Sequence, residues 1–303
     1  MSARLEALRL AARAETPLGR LAAAFFESRV ATASLVLLAL IVLAALAAPW
    51  IAPQNPYDLA KVTVLDARLA PGERGSGGFV MWLGSDGAGR DMWSAILYGL
   101  RISLGVGVAS GLVAFMLGMT IGLAAGYWGG RADAFIMRAV DLQLSFPAIL
   151  VALILVAVLG KGVDKVIIAL ILVQWAYYAR TVRGSALVER GKEYIEAARC
   201  LALPPSRIVF RHLLPNCLAP MIVVGTLQTA HAISLEATLS FLGVGLPQTE
   251  PSLGLLIANG FEYMLSGKHW ISFFPGVALL ATIMCINLVG DQLRDVLNPR
   301  LER

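Results

Sequence analysis

Charge is scarce in this sequence. Asp, Glu, Lys and Arg make up 15% of 303 residues against 58% hydrophobic, and the mean hydropathy is +0.73. A soluble domain carries about a quarter charged residues, so a fold solvated by water on all sides is excluded and the bilayer is left as the solvent. Cysteine is nearly absent too. Cys200, Cys217 and Cys285 show neither CxxC nor Cys/His spacing, and no two share an external segment. That excludes a disulfide framework and a zinc site and leaves them as packing residues. Also missing are the patterns that announce an enzyme: no GxxxxGK[ST] phosphate loop, no HExxH, no GxSxG and no paired acids in an apolar run. The octet GSDGAGRD at 84–91 has the glycines of an anion cradle, but it precedes a helix without a βαβ context. No catalytic task is assigned to it.

What the sequence has is long apolar runs. Six are expected to cross the membrane as helices: 30–51, 102–128, 144–160, 166–178, 219–238 and 271–289. A span needs about 20 residues at roughly 1.5 Å each to cover some 30 Å of hydrocarbon. The fourth run reaches that length only if Tyr177, Tyr178 and the chain beyond them stay helical. The fold class is therefore all-α, a polytopic membrane protein with about six transmembrane helices. The first span follows some thirty residues and is too long for a signal sequence, so it is read as a retained anchor.

Six spans put both termini on one side and sort the loops into two sets. Residues 1–29, 129–143, 180–218 and 291–303 hold seventeen Lys and Arg; residues 52–101, 161–165 and 239–270 hold eight. The richer set belongs in the cytoplasm. Tyr127, Trp128, Trp175, Tyr177 and Tyr178 would then mark inner ends of spans, and Trp50 and Trp270 outer ends. The expected order is an interfacial cytoplasmic helix over 1–29, a first span over 30–51 and an external segment over 52–101. A transmembrane core follows over 102–291, with a cytoplasmic loop at about 180–218, and then a tail over 292–303. The first thirty residues alternate Arg with Leu and Ala at helical spacing, as a helix lying on anionic lipid would. Gly107, Gly111, Gly118, Gly122 and Gly126 give the second span small residues at four-residue spacing, which lets helices approach closely within the chain.

Ionisable residues at membrane depth are costly and mark function. His231 and Glu236, both in the fifth span, are the candidates for gating or lining a pathway. Glu236 falls near the outer edge by residue count, open to solvent or facing a polar cavity.

The stretch EYIEAARCLALPPSRIVFRHLLPN at 193–216 interrupts the apolar pattern with charge, alanine and proline. Residues 192–203 are expected to form a compact helix ended by Pro204 and Pro205. Ser206 would cap a second short helix, and Pro215 would stop it before the next span. Small alanines and the apolar Tyr194, Ile195, Ile208, Phe210 and Leu213 suit a helix seated in a groove of another protein.

These residues resemble the EAA loop of ABC importer permeases: EAA, three residues, Gly, nine residues, then I-x-L-P. Glu196, Ala197 and Ala198 match, and Leu214 and Pro215 close the pattern at the right spacing. Ala202 stands for the glycine and His212 for the isoleucine. Ala202 is expected in ordinary helix or turn. The segments RHLLPN at 211–216, LGSD at 83–86, GRD at 89–91, YGLRISL at 98–104, EATLSFLG at 236–243 and DQLRD at 291–295 are similar to the dipeptide/oligopeptide (and nickel) branch of that family. Leu253 departs from the tryptophan common there. The resemblance covers about 30–300.

The resemblance implies a type I, binding-protein-dependent importer subunit in a bacterial inner membrane. Glu193, Tyr194, Glu196, Ala197, Ala198, Ala202, Arg207, Leu214 and Pro215 would form its ATPase-coupling surface. It implies a paralogous second permease, two ATPase subunits, an external substrate-binding protein and the lipid membrane as partners, and no nucleic acid. It implies no cofactor in this chain, since ATP and magnesium would sit on the ATPases, and no catalysis here. Di- or oligopeptides are the expected cargo. Nickel chelates or glutathione carried by the same class, or a stand-alone secondary transporter, are the alternatives.

Overall fold

The computed structural model describes residues 17–58, 62–250 and 252–297. The arginines at positions 4, 9 and 13 that suggested an interfacial helix lie outside them. Among the described residues the chain is helical apart from loops and two isolated β-bridges, Arg74 with Val80 and Ser85 with Asp91. Helix α1 is Pro17–Glu27 and α2 is Arg29–Leu46. Between them Ser28 takes an extended backbone, and its hydroxyl accepts a bond from the Ala31 amide. That satisfies one of the donors a helix start leaves open.

Helix α3, Met92–Trp128, starts ten residues before the expected second span, because Asp91 caps it through the Ser94 amide and hydroxyl at 2.8 and 2.6 Å. At 37 residues it is about 55 Å long. Residues 129–143, read as a loop, form helix α4, Gly130–Leu144, and a 12-residue α5 follows as Ala148–Leu159. The two meet at 89°, so the third expected span is a 12-residue helix behind a sharp bend, the geometry of a broken span or a re-entrant loop. The cause is local: Pro147 lacks an amide and disfavours helical backbone at Phe146.

Helix α6, Val163–Arg190, does carry the fourth span through Tyr177 and Tyr178, and continues three turns further. Tyr178 is accordingly 1% exposed in the core rather than at a membrane edge. The insert proper is the short helix α7, Glu193–Cys200. Pro205 then opens a helix that runs without a stop through a π-turned stretch, Ile208–Leu213, into α8, Leu214–Phe241. Two expectations fail here. Pro204, not Ser206, is the cap, and Pro215 stops nothing, because it lies in the first turn of α8. A widened turn just before it makes room for a ring that would clash with the carbonyl four residues back. Helix α9, Leu253–Phe261, appears inside what was read as an external loop, and α10 is Trp270–Val296. Among the described residues five helices are long and apolar enough to cross a bilayer, and the bent pair makes a sixth candidate.

Packing is organised by glycine. A methyl on Gly118 would lie 2.4 Å from the Tyr178 Cβ, one on Gly122 2.5 Å from the Ala179 carbonyl, and one on Gly126 2.7 Å from the Ala186 Cβ. The glycine stripe of α3 is therefore spent within the chain, on α6 at Gly118, Gly122 and Gly126 and on α8 at Gly107 and Gly111, which face Ile233 and Thr229. Helix α4 lies on α6, held by ion pairs of Asp133 with Arg183 and Asp141 with Arg180.

Candidate functional site

The bundle has two distinct ends. The insert end carries α7, and its inward face is narrow: Ile195 is fully buried and Ala198 4% exposed, packed with Val182, Ala186, Ile208 and Leu213. Glu193, Tyr194, Glu196, Ala197 and Arg207 face outward, Pro215 is exposed, and Leu214 is half-buried. Leu201 and Phe210 are exposed beside them. Neither cation within helical reach of Glu196 is given to it: Lys192 Nζ binds Glu189 Oε1 at 2.6 Å, and Arg199 lies over the Tyr127 ring. The base of α7 is tied to its neighbours by a bridge the sequence did not announce. The Tyr194 hydroxyl donates to Glu189 Oε2 at 2.6 Å and accepts from Asn216 Nδ2 at 3.1 Å. Partial burial and then the Glu189 bond push the Tyr194 phenol up to about 12, so it stays a donor at neutral pH.

Ala202 contradicts the expectation placed on it. Its φ is +52°, in the left-handed region. The Leu203 amide donates to the Ala198 carbonyl and the Ala202 amide to the Arg199 carbonyl, at 3.1 and 2.9 Å. These are the two bonds of a Schellman motif, with Ala202 in the position that favours glycine. The left-handed turn follows from the need to satisfy the last carbonyls of α7 while reversing the chain into Pro204.

Glu236 lies near the end of α8, but not in the open setting expected of it. It is fully buried, neither solvated nor facing an open cavity. Its Oε2 accepts from Ser103 Oγ and its Oε1 from Ser240 Oγ, both at 2.8 Å. Ser252, the cap of α9, is fully buried too, and its hydroxyl accepts from the Leu255 amide. One side chain thus joins α3 and α8. Ser240 was findable at i+4; Ser103, 133 positions away, was not. His231 is exposed on the opposite side of α8, and Ser234 and Thr238 continue its face.

The octet GSDGAGRD holds no room for an anion. Asp86 accepts from the Ala88 and Arg90 amides and from Arg90 Nε, and a methyl on Gly89 would lie 2.2 Å from the Thr63 carbonyl. Its glycines make turns that let the chain close on itself.

Residues 118–303 match the family of binding-protein-dependent transport system inner membrane components, and residues 16–71 match the N-terminal transmembrane domain of oligopeptide transport permease C. A Brucella suis protein named as a peptide transport system permease is 44% identical over 268 residues, 88% of this chain and 87% of its own. A di/tripeptide transport system permease protein of Pseudomonas aeruginosa is 36% identical over 95% of this chain and 93% of its own. A glutathione transport system permease protein of Pectobacterium atrosepticum is 39% identical over 84% and 82%. The inward-facing methionine ABC transporter MetNI shares the fold, with a TM-score of 0.57 at 21% identity over 68% of this chain and 98% of that one. A helical bundle of five or six spans, broken once and carrying an EAA-type helix at one end, thus belongs with its relatives: the chain is a member of the binding-protein-dependent transport system inner membrane components, a permease subunit of the ABC importer class.

Proposed function

We propose that this permease forms half of a peptide pathway, with a paralogous second permease as the other half, two ATPases at its insert end and a substrate-binding protein at the opposite end. Di- and oligopeptides are the cargo that the named relatives suggest, with glutathione, itself a tripeptide, inside the same chemistry. The insert end is cytoplasmic, in keeping with the excess of Lys and Arg there. Residues 1–29 serve as an interfacial arm, 52–91 as the external segment and 191–213 as the coupling element, with ATP and magnesium held by the ATPases. Single cysteines at Ala88 and Ser206, in a background free of the native three, test the sidedness. An impermeant maleimide should label the first in intact cells and leave the second untouched.

The observation that carries the coupling role is the division of labour on α7. Ile195 and Ala198 anchor it to the core and the Tyr194 hydroxyl ties it to Glu189 and Asn216, while Glu193, Glu196, Ala197 and, just beyond the helix, Arg207 face away from the bundle. A helix hooked to the spans on one side and open on the other can pass a push from a partner into α6 and α8. Closure of nucleotide-bound ATPases would favour the outward-open state, and hydrolysis would return the inward one. Glu196→Arg should leave membrane abundance near normal, because Glu196 makes no contact that folding depends on. Losing a charged partner at a docked interface costs about 2–5 kcal/mol, so uptake should be abolished and ATPase co-purification weakened, with Glu196→Gln milder. Normal uptake by Glu196→Arg removes the assignment.

The pathway face is read from α8. His231, Ser234 and Thr238 present polar groups on one side of an apolar span, and lipid does not repay polar exposure. Water in the pathway or the second permease covers them. Glu236 supports that face from behind by fixing α8 to α3.

A further inference from the structure

An apolar groove of about 580 Å³ runs between α8 and α10 at the insert end. That is within the range of small-molecule pockets, roughly 300–1,000 Å³. Pro220, Val223, Val224, Leu227 and Leu297 line it, and Arg294 stands at it as the charged group. The guanidinium is exposed and makes no ion pair among the described residues. Asp291 and Asp295, its neighbours on α10, do not line the groove.

The depth of Arg294 is set by α1. The Gln292 side chain donates to the Ala24 carbonyl at 3.3 Å, and Phe25 packs with Val289 and Leu293. Helix α1 buries Phe25 on one side and leaves Arg20 exposed on the other, as a helix lying in the headgroup layer does. Arg294, half a turn beyond Gln292, is therefore level with lipid phosphates, and the groove extends from it along the apolar part of α8. A cation at headgroup depth above an apolar furrow between two spans has the chemistry of a phospholipid site.

We propose that this groove binds one phospholipid, with an acyl chain along Val223, Val224 and Leu227 and the phosphodiester on the Arg294 guanidinium, which can grip two phosphate oxygens at once. The site does not depend on what the permease transports. Bound there, the lipid would fill the seam between α8 and α10 as a wedge.

The test uses the assembled transporter, purified in mild detergent and exchanged into micelles doped with either phosphatidylglycerol or a diacylglycerol with the same chains. Retained lipid is counted by native mass spectrometry. One cation near the surface favours an acidic headgroup by about fivefold, so the wild type should retain phosphatidylglycerol over diacylglycerol by about that factor. Arg294→Gln should bring the ratio to about one, and Arg294→Lys should keep most of it. Leu227→Trp, which fills the furrow, should lose both lipids. An undiminished ratio in Arg294→Gln overturns the proposal, as does unchanged retention by Leu227→Trp. A wild type that retains neither lipid, with a cysteine at Leu227 cross-linking to a partner subunit, overturns it as well and gives the groove to that subunit.

Discussion

At the end built from residues 62–91 and α9, polar side chains are buried and answered by partners within the chain; at the end that carries α7, they are left facing out. Asp86, Arg90, Asp91, Ser94 and Glu236 are all under 6% exposed and hydrogen-bonded, Asp91 through Oδ2 while its Oδ1 has no partner. Helix α9 is pressed against its neighbours without side chains between them. A methyl on Gly254 would sit 2.2 Å from the Ala237 carbonyl, and one on Gly260 2.5 Å from the Ser272 amide nitrogen. At the insert end, Glu193, Glu196, Arg207 and Phe210 have nothing of the sort. The difference teaches where rigidity is invested. The first end is a fixed cap, while the second is a handle whose outer face awaits a partner.

Gly254→Val strikes the cap hardest, because the obstruction is backbone and cannot swing away. It should destabilise the bundle by about 3 kcal/mol or more, and be read as loss of folded protein in the membrane. Glu236→Ala comes next, at about 2–4 kcal/mol, since it leaves a cavity and hydroxyls without their acceptor. Glu236→Gln should cost only about 1 kcal/mol, because serine hydroxyls can turn to accept from the amide. Thermal unfolding of the solubilised complex compares the two. If Glu236→Ala melts like the wild type, the cap is not held by its polar knot.

The handle should respond differently. Tyr194→Phe removes the bridge between Glu189 and Asn216 at about 1 kcal/mol, leaving abundance intact and lowering ATPase co-purification. An abundance loss equal to that of Glu236→Ala would erase the distinction between the ends. Ala202→Gly is the smallest change and the one in the opposite direction. Relief of a left-handed alanine, less the added freedom of glycine in the unfolded chain, should stabilise by about 0.5–1 kcal/mol. Circular dichroism melts of the two proteins are sufficient to see the sign.

The sequence by itself determined the solvent, the number of apolar runs and the place of the insert, because these depend on composition and on a length that the bilayer imposes. It placed the starts of the helices Arg29–Leu46, Val163–Arg190 and Trp270–Val296 closely but not their ends, since apolar runs leave the backbone only the helix to satisfy itself in lipid, while a helix can continue past the run. It did not show the bend at Pro147, the continuous helix through Pro215 or helix α9, where local signals for stopping a helix compete with packing that overrides or enforces them. The EAA spacing was legible at α7, but the left-handed backbone at Ala202 was not. Alanine favours helix, and only the reversal into Pro204 demands the other conformation. Tertiary structure alone decided the environment of Glu236. Counting along one helix gives a height in the membrane, whereas burial and bonding depend on Ser103, which reaches that carboxyl from a segment 133 positions away.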